Sequence, residues 1–326
     1  LRAFAVLCAL PLLASSLALA QSEPPTLVLP IQCRVGVDCE IQNYVDRDPG
    51  PGVKDYQCGT RSYQGHTGVD FRLPNLAKKN EGVAVLAAAA GRVLRVRDGL
   101  ADVSVRATGT AALEGRDCGN GVLIAHEGGF ETQYCHLANG SIAVKPGVSV
   151  KAGDVIGRVG LSGRTEYPHL HFSVRQGRRV VDPFAYGAPE GECQGGRSLW
   201  RPELTQMLGY KHRSVLNAGF SSQRPSMTAI DEGLGAPARD DATLFAYARG
   251  IGLKAGDVQT VTLKGPDGAV LASNTAKPLR NDQAQSMIFA GVRRPSGGWT
   301  KGRYVGEYVV RQREQTVLEQ RFEFSL

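Results

Sequence analysis

Five of the six histidines, His66, His126, His136, His169 and His171, fall within 106 residues of one another. Imidazole is both a metal ligand and a proton carrier near neutral pH, so this crowding is the first sign of chemistry. In "YQGHTGVDFR" His66 and Asp70 stand four positions apart between glycines, and in "YPHLHFSV" His169 and His171 alternate. Between them, "FETQYCHLA" supplies His136. Two histidines and one carboxylate satisfy a catalytic zinc, which takes three protein ligands and leaves its fourth position to water. The remaining histidines would then act on that water or on the charge that develops during attack. Alone, HxxxD also fits a capping or turn role, and alternating histidines can simply face solvent. Both together, in this order with "YCHL" between them, form a far more specific pattern.

The elements that must position these residues are strands. Side chains alternate faces along a strand, so His169 and His171 point to the same side. His66 and Asp70 would share a helix face, but Gly65 and Gly68 favour a loop entering the strand "VDFRL". The 40 glycines mostly punctuate short β-branched runs. Turn signals recur about every 8 to 12 residues, as expected of antiparallel β structure. Helical periodicity is scarce, with "ELTQMLGY" (203–210) the best short candidate. The chain therefore reads as all-β. A stretch rich in Gly, Pro and polar residues at 188–207 reads as a linker, and residues 208–326 as a separate β-sandwich that turns at "GPDG" and closes on a hairpin. The sandwich holds one histidine, His212, which has no ligand-like company and reads as a surface residue.

Residues 1–20, "LRAFAVLCALPLLASSLALA", have the layout of a cleavable secretory signal: an apolar run ending in Ala18-Leu19-Ala20 before a polar stretch. No 18-residue apolar run follows in the body of the chain, so no integral membrane segment is expected after signal removal. Export gives the cysteines meaning. With Cys8 removed, Cys33, Cys39, Cys58, Cys118, Cys135 and Cys193 form an even set suited to three disulfides in an oxidising compartment. Cys33–Cys39 would close a short loop and Cys118–Cys135 would tie neighbouring strands, leaving Cys58–Cys193 by elimination. The absence of any CxxC pair argues against a thiolate zinc site. Net charge is +7, and residues 191–326 carry 18 Lys and Arg against 13 Asp and Glu. No dense basic run with interleaved aromatics occurs, which disfavours nucleic acid and leaves an anionic cell-surface polymer compatible.

From about 56 to 186 the chain resembles the lysostaphin-type (LytM-like) zinc metalloendopeptidases, which cut peptide cross-links in bacterial peptidoglycan. The resemblance rests on "GHTGVDF", "AAAAGRVLRV", "NGVLIAH", "YCHL", "VKPGVSVKAGDVIGRVGLSG", "HLHFSV" and "VDPFAYG". It implies a duplicated hybrid-motif peptidase domain over 51–187, preceded by an N-terminal segment at 21–50, and one catalytic zinc. By the same resemblance His66, Asp70 and His171 are the zinc ligands. His136 and His169 are the pair that polarises the water or stabilises the tetrahedral intermediate, and His126 lies outside the catalytic set. The implied partner is a peptidoglycan peptide. With the signal and the cysteines, the implied location is a Gram-negative periplasm and the implied bond D-alanine to diaminopimelate. Two departures stand out: a long insertion at 97–119, expected to border the groove, and "EYP" before HLH where the family has a small Gly-rich run. A latent form with Asn43 or Asp46 near the zinc is a further expectation. Two other readings stay open: a non-enzymatic activator of cell-wall amidases, and a cell-wall-binding protein whose working part is the sandwich.

Overall fold

The structure, a computed structural model, describes residues 23–326; the expected signal and Cys8 lie outside the described residues. Among the described residues ten short strands build the first half: β1 (Glu40–Asn43), β2 (Val69–Arg72), β3 (Ala84–Leu86), β4 (Gly91–Arg97), β5 (Asn120–Ala125), β6 (Phe130–Leu137), β7 (Ser149–Val150), β8 (Val155–Arg158), β9 (His169–Gln176) and β10 (Arg179–Val181). One antiparallel sheet runs in the order β1-β2-β9-β6-β5-β4-β7, with β10 also paired to β9, while β3 pairs with β8. Among the described residues helix is confined to short pieces, such as α1 (Leu76–Asn80) and α2 (Val105–Thr108), the latter inside the 97–119 insertion. Among the described residues no helix is long and apolar enough to cross a membrane.

The second half packs a three-stranded sheet on a four-stranded one. Its elements are β11 (Ser214–Ser221), α3 (Met227–Glu232), β12 (Thr243–Leu253), β13 (Val258–Lys264), β14 (Val270–Thr275), β15 (Gln283–Arg293), β16 (Arg303–Gln312) and β17 (Gln315–Ser325). The sheets run β11-β12-β15 and β14-β13-β16-β17. Alternate residues of β13 are buried, and Val261 and Leu263 meet Tyr304, Tyr308 and Val310 of β16 and Leu244, Ala246 and Ala248 of β12 in one core. This period of two is what makes a strand half-buried and a sandwich possible. The "GPDG" turn joins β13 to β14, and Gly268 donates to Gly265 O.

Three details differ from the sequence reading. "ELTQMLGY" forms no α-helix; a 3₁₀ turn at Pro202–Leu204 is all the helix there, since Pro202 opens it and Gly209 follows closely. The 188–207 stretch is no free tether, because Leu199 and Trp200 are buried in the first core together with Leu208 just beyond it. Residues 23–50 enter the same core through Leu27, Ile31, Ile41 and Tyr44, and they add β1 to the sheet edge. Among the described residues three disulfides pair Cys33–Cys39, Cys58–Cys193 and Cys118–Cys135. The halves also touch through polar groups, with Arg61 Nη1 donating to Lys211 O at 2.7 Å and Gln42 Nε2 donating to Ala284 O at 3.1 Å.

Candidate active site

Three adjacent strands deliver the site. In the register, Asp70 on β2 sits opposite His171 on β9, and His171 sits opposite Cys135 on β6. His66 arrives from the loop before β2, as the glycines require, with Gly65 in the left-handed region at φ 73°. Asp46 fastens that loop: its Oδ2 accepts from Gly65 N at 2.8 Å and its own N–H donates to His66 O at 2.8 Å. Gly68 makes room for the other strand, since a Cβ there would lie 2.7 Å from His171 Nε2 and 2.6 Å from Phe172 O.

The result is a small triangle of donor atoms. His66 Nε2 and His171 Nδ1 lie 3.1 and 2.9 Å from Asp70 Oδ1, and 3.2 Å from each other. A tetrahedral zinc with ligands at about 2.0–2.1 Å has ligand-to-ligand edges of about 3.3 Å, so the triangle has the size of one face of such a site. Two of the three groups are pinned from behind. His66 Nδ1 donates to Tyr44 O at 2.7 Å, which leaves Nε2 as its lone-pair atom, and Asn43 Nδ2 donates to Asp70 Oδ2 at 2.9 Å. Asp46, by contrast, spends its carboxylate on backbone N–H groups of the loop and on Lys54 N.

His136 and His169 stand beside the triangle. Their rings are 4.6 Å apart, His136 lies 6.1 Å from the His171 ring, and His169 Nε2 is 3.5 Å from Asp70 Oδ1. His136 is aimed by a β-bulge: Asn120 pairs with Leu137 and Val122 with Tyr134, so Cys135 and His136 oppose the single Gly121. The bulge places His136 at φ 64°, a left-handed backbone that costs a non-glycine residue about 1–2 kcal/mol. The Cys118–Cys135 bond and the hydrogen bond from His136 N to Cys118 O at 2.8 Å hold it there. Its ring Nδ1 donates to Ser162 O at 2.8 Å. His169 Nδ1 lies 3.0 Å from Tyr167 O and 3.1 Å from Thr165 Oγ1.

The electrostatics separate the two groups. Burial opposes the charge on Asp70, but the His66 and His169 imidazoles and hydrogen bonds from His171 and His66 hold its carboxyl well below the usual range. Burial likewise pulls His66 down, and Asp70, with the Tyr44 carbonyl and Asp46, more than reverses this, for a net rise. His136 falls well below its ordinary value, through burial and then through His169 and His171. His169 also falls, chiefly through burial.

Of the remaining histidines, His126 bonds Ala90 O and Thr132 Oγ1, both at 2.8 Å, and no atom of the triangle. His212 is exposed against the Tyr210 ring. Sequence reasoning passed over Tyr63, whose ring lies 4.4 Å from His66 at the mouth of the site and is 53% exposed. It also passed over Ser162 and Thr165, whose part is to fix the histidine rings. Only their placement just before HLH hinted at it.

Residues 64–183 match the sequence model of peptidase family M23. The DD-carboxypeptidase/endopeptidase Mpg of Neisseria meningitidis is 34% identical over 165 residues, 51% of this chain and 28% of that protein. The peptidoglycan DD-endopeptidase ShyB of Vibrio cholerae is 32% identical over 124 residues, 38% of this chain and 24% of that protein. The chain thus spans about a quarter of the length of these curated relatives. Among solved structures, a zinc-containing peptidase from Vibrio cholerae is 29% identical, with 43% of this chain and 38% of that chain covered at a TM-score of 0.28. His66, Asp70, His136, His169 and His171 all fall inside the matched stretch, and residues 64–183 are a peptidase family M23 domain.

Proposed function

We propose that the protein is a zinc-dependent endopeptidase that hydrolyses peptide cross-links of bacterial peptidoglycan, at the bond between D-alanine and diaminopimelate, in an exported, periplasmic setting. The observation that carries this reading is the triangle of His66 Nε2, Asp70 Oδ1 and His171 Nδ1, with edges of 2.9 to 3.2 Å and two further histidines beside it. The nitrogen and carboxylate donors suit zinc, and their number leaves a coordination position for water. When bound, zinc supplies a Lewis acid and lowers the pKa of a water molecule.

The protein's own groups supply the rest. Asp70 stays ionised and neutralises half of a divalent charge, and Asn43 keeps the carboxylate from rotating. His136 and His169 are held neutral by burial, and with Nδ1–H turned toward a carbonyl each presents the lone pair of Nε2. Such a nitrogen takes a proton from the attacking water, and the resulting N–H donates to the developing oxyanion or to the leaving amine. Tyr63 and Tyr167 pack against His66 and His169 respectively, and would bound an extended peptide.

Digesting purified sacculi with the mature protein and identifying the released muropeptides tests the reading. Cross-linked dimers should give monomers through cleavage at D-alanine–diaminopimelate, chelation should stop it, and restored zinc should return it. Zinc-loaded protein that cuts no cross-link yet stimulates a separate amidase would put an activator in place of the enzyme.

A further inference from the structure

The C-terminal half reaches the site through one carboxylate. Asp231 on α3 lies 3.6 Å from Arg72 Nη2 and 3.8 Å from Arg106 Nη1, and it pairs with Arg249 Nη1. Arg249, fully buried, also donates to Pro74 O at 2.6 Å and to Asn217 Oδ1 at 2.9 Å, so Asp231 is locked against the end of β2. Arg72 is 1% exposed, and among the described residues its Nε and Nη2 have no hydrogen-bond partner. Among the described residues Asp231 is the one carboxylate within ion-pair distance of it. A buried guanidinium left without its countercharge, next to a second one, is strongly unfavourable and would move.

Where it would move matters. The Arg72 guanidinium rests 3.7 Å from the centre of the Tyr167 ring. Tyr167 O is a partner of His169 Nδ1, the two rings are 5.1 Å apart, and Arg72 faces His169 across the β2–β9 register. The insertion meets the same wall: Arg106 donates from Nε and Nη2 to Glu166 Oε2, and Val105 N donates to Thr165 O at 2.9 Å.

We propose that Asp231 is a positioning residue: by neutralising Arg72 it fixes the Arg72–Tyr167 stack and, through it, the His169 ring, which makes the C-terminal sandwich a working part of the site. This rests on the reading of His169 as a catalytic group of an endopeptidase. It differs from a role for the sandwich in binding the cell wall, because it acts at the reacting end of the groove.

The test uses the zinc-loaded mature chain, with Asp231→Asn removing the charge while keeping the shape. Zinc content and fold should persist, kcat on a cross-linked muropeptide should fall about tenfold, and KM should stay within about twofold. The ¹⁵N imidazole signals of His169 should shift. Arg72→Met should cause a similar loss, and Asp231→Asn in that background should add nothing further, since the two act in series. A kcat within twofold of the parent, an unmoved His169 signal, or additive losses would overturn the proposal. If the parent cuts no cross-link, the endopeptidase reading fails and the His169 signal alone decides: a shift supports positioning and no shift refutes it. Should Asp231→Asn fail to fold, Tyr167→Leu and Arg72→Met must each shift that signal, and an unmoved one in either refutes the idea.

Discussion

Two pairs of histidines share one cluster and are held in opposite ways. His66 and His171 turn a ring nitrogen onto the same oxygen of Asp70, at 3.1 and 2.9 Å. His136 and His169 turn Nδ1 onto backbone carbonyls, those of Ser162 and Tyr167. His66, His136 and His169 are buried, so desolvation pushes these three imidazoles toward the neutral form; the sign of the outcome is set by the company. Beside the carboxylate, His66 ends above its ordinary value, whereas His136, next to other imidazoles, ends well below. Under the proposed function, a carboxylate between two rings would build a cation site, and a carbonyl behind a ring a neutral base, so one neighbouring group would sort the same residue type into two jobs.

The largest effect should come from breaking the first pair. His171→Ala removes one of three donors and leaves Asp70 and His66 short of a chelating set, so bound zinc and all hydrolysis should be lost together. Metal analysis after dialysis checks this, and stoichiometric zinc in the variant would remove the ligand assignment. His136→Ala and His169→Ala attack the second pair. Each should keep zinc and fold while losing about 10² to 10⁴ in kcat, the usual cost of a missing proton carrier or oxyanion donor. Loss of zinc in either variant would erase the division between the pairs.

A smaller effect should follow from crowding the first pair without deleting it. Gly68→Ala sets a methyl group 2.7 Å from His171 Nε2 and 2.6 Å from the Phe172 carbonyl, so the imidazole must give way. Zinc affinity should drop about 10- to 100-fold, as for disturbed supports of metal ligands generally, while His136 and His169 stay in place. Titration against a competing chelator reads this directly. An affinity unchanged from the parent would mean that the His171 ring tolerates the shift.

The triangle of His66, Asp70 and His171 was legible as a candidate site because each half of it is local: HxxxD spans a glycine turn and HxH spans one strand, and strand alternation alone puts His169 and His171 on a common face. The even cysteine count was equally local. What could not be read is how His136 is aimed. "FETQYCHL" alternates smoothly, yet the bulge at Cys135 and His136 shifts the register by one, and nothing in residue type announces a left-handed histidine. Strand β1 was hidden for a related reason. "EIQN" looks like loop, but Glu40, Gln42 and Asn43 are all buried because Lys211, Arg72 and Asp70 take up their polar ends. Likewise the Gly- and Pro-rich 188–207 stretch read as tether while its Leu199 and Trp200 fill the first core. In each case a long-range partner decides what local composition leaves open.

The finest test of the comparison lies in the support of a single ring. His169 Nδ1 has two candidate acceptors, Tyr167 O at 3.0 Å and Thr165 Oγ1 at 3.1 Å, whereas His136 Nδ1 has the Ser162 carbonyl at 2.8 Å. The Thr165 hydroxyl itself donates to Tyr167 O at 2.7 Å, so it competes for the very carbonyl that His169 uses. Thr165→Val deletes the hydroxyl at nearly constant volume and frees that carbonyl for the ring. If backbone carbonyls are what hold the second pair, the change should cost about 0.5–1 kcal/mol, a two- to fivefold loss in kcat, with zinc content untouched. A loss near that of His169→Ala would show that a side chain, not the backbone, orients this base, and the contrast between carboxylate-held and carbonyl-held histidines would then apply to His136 alone.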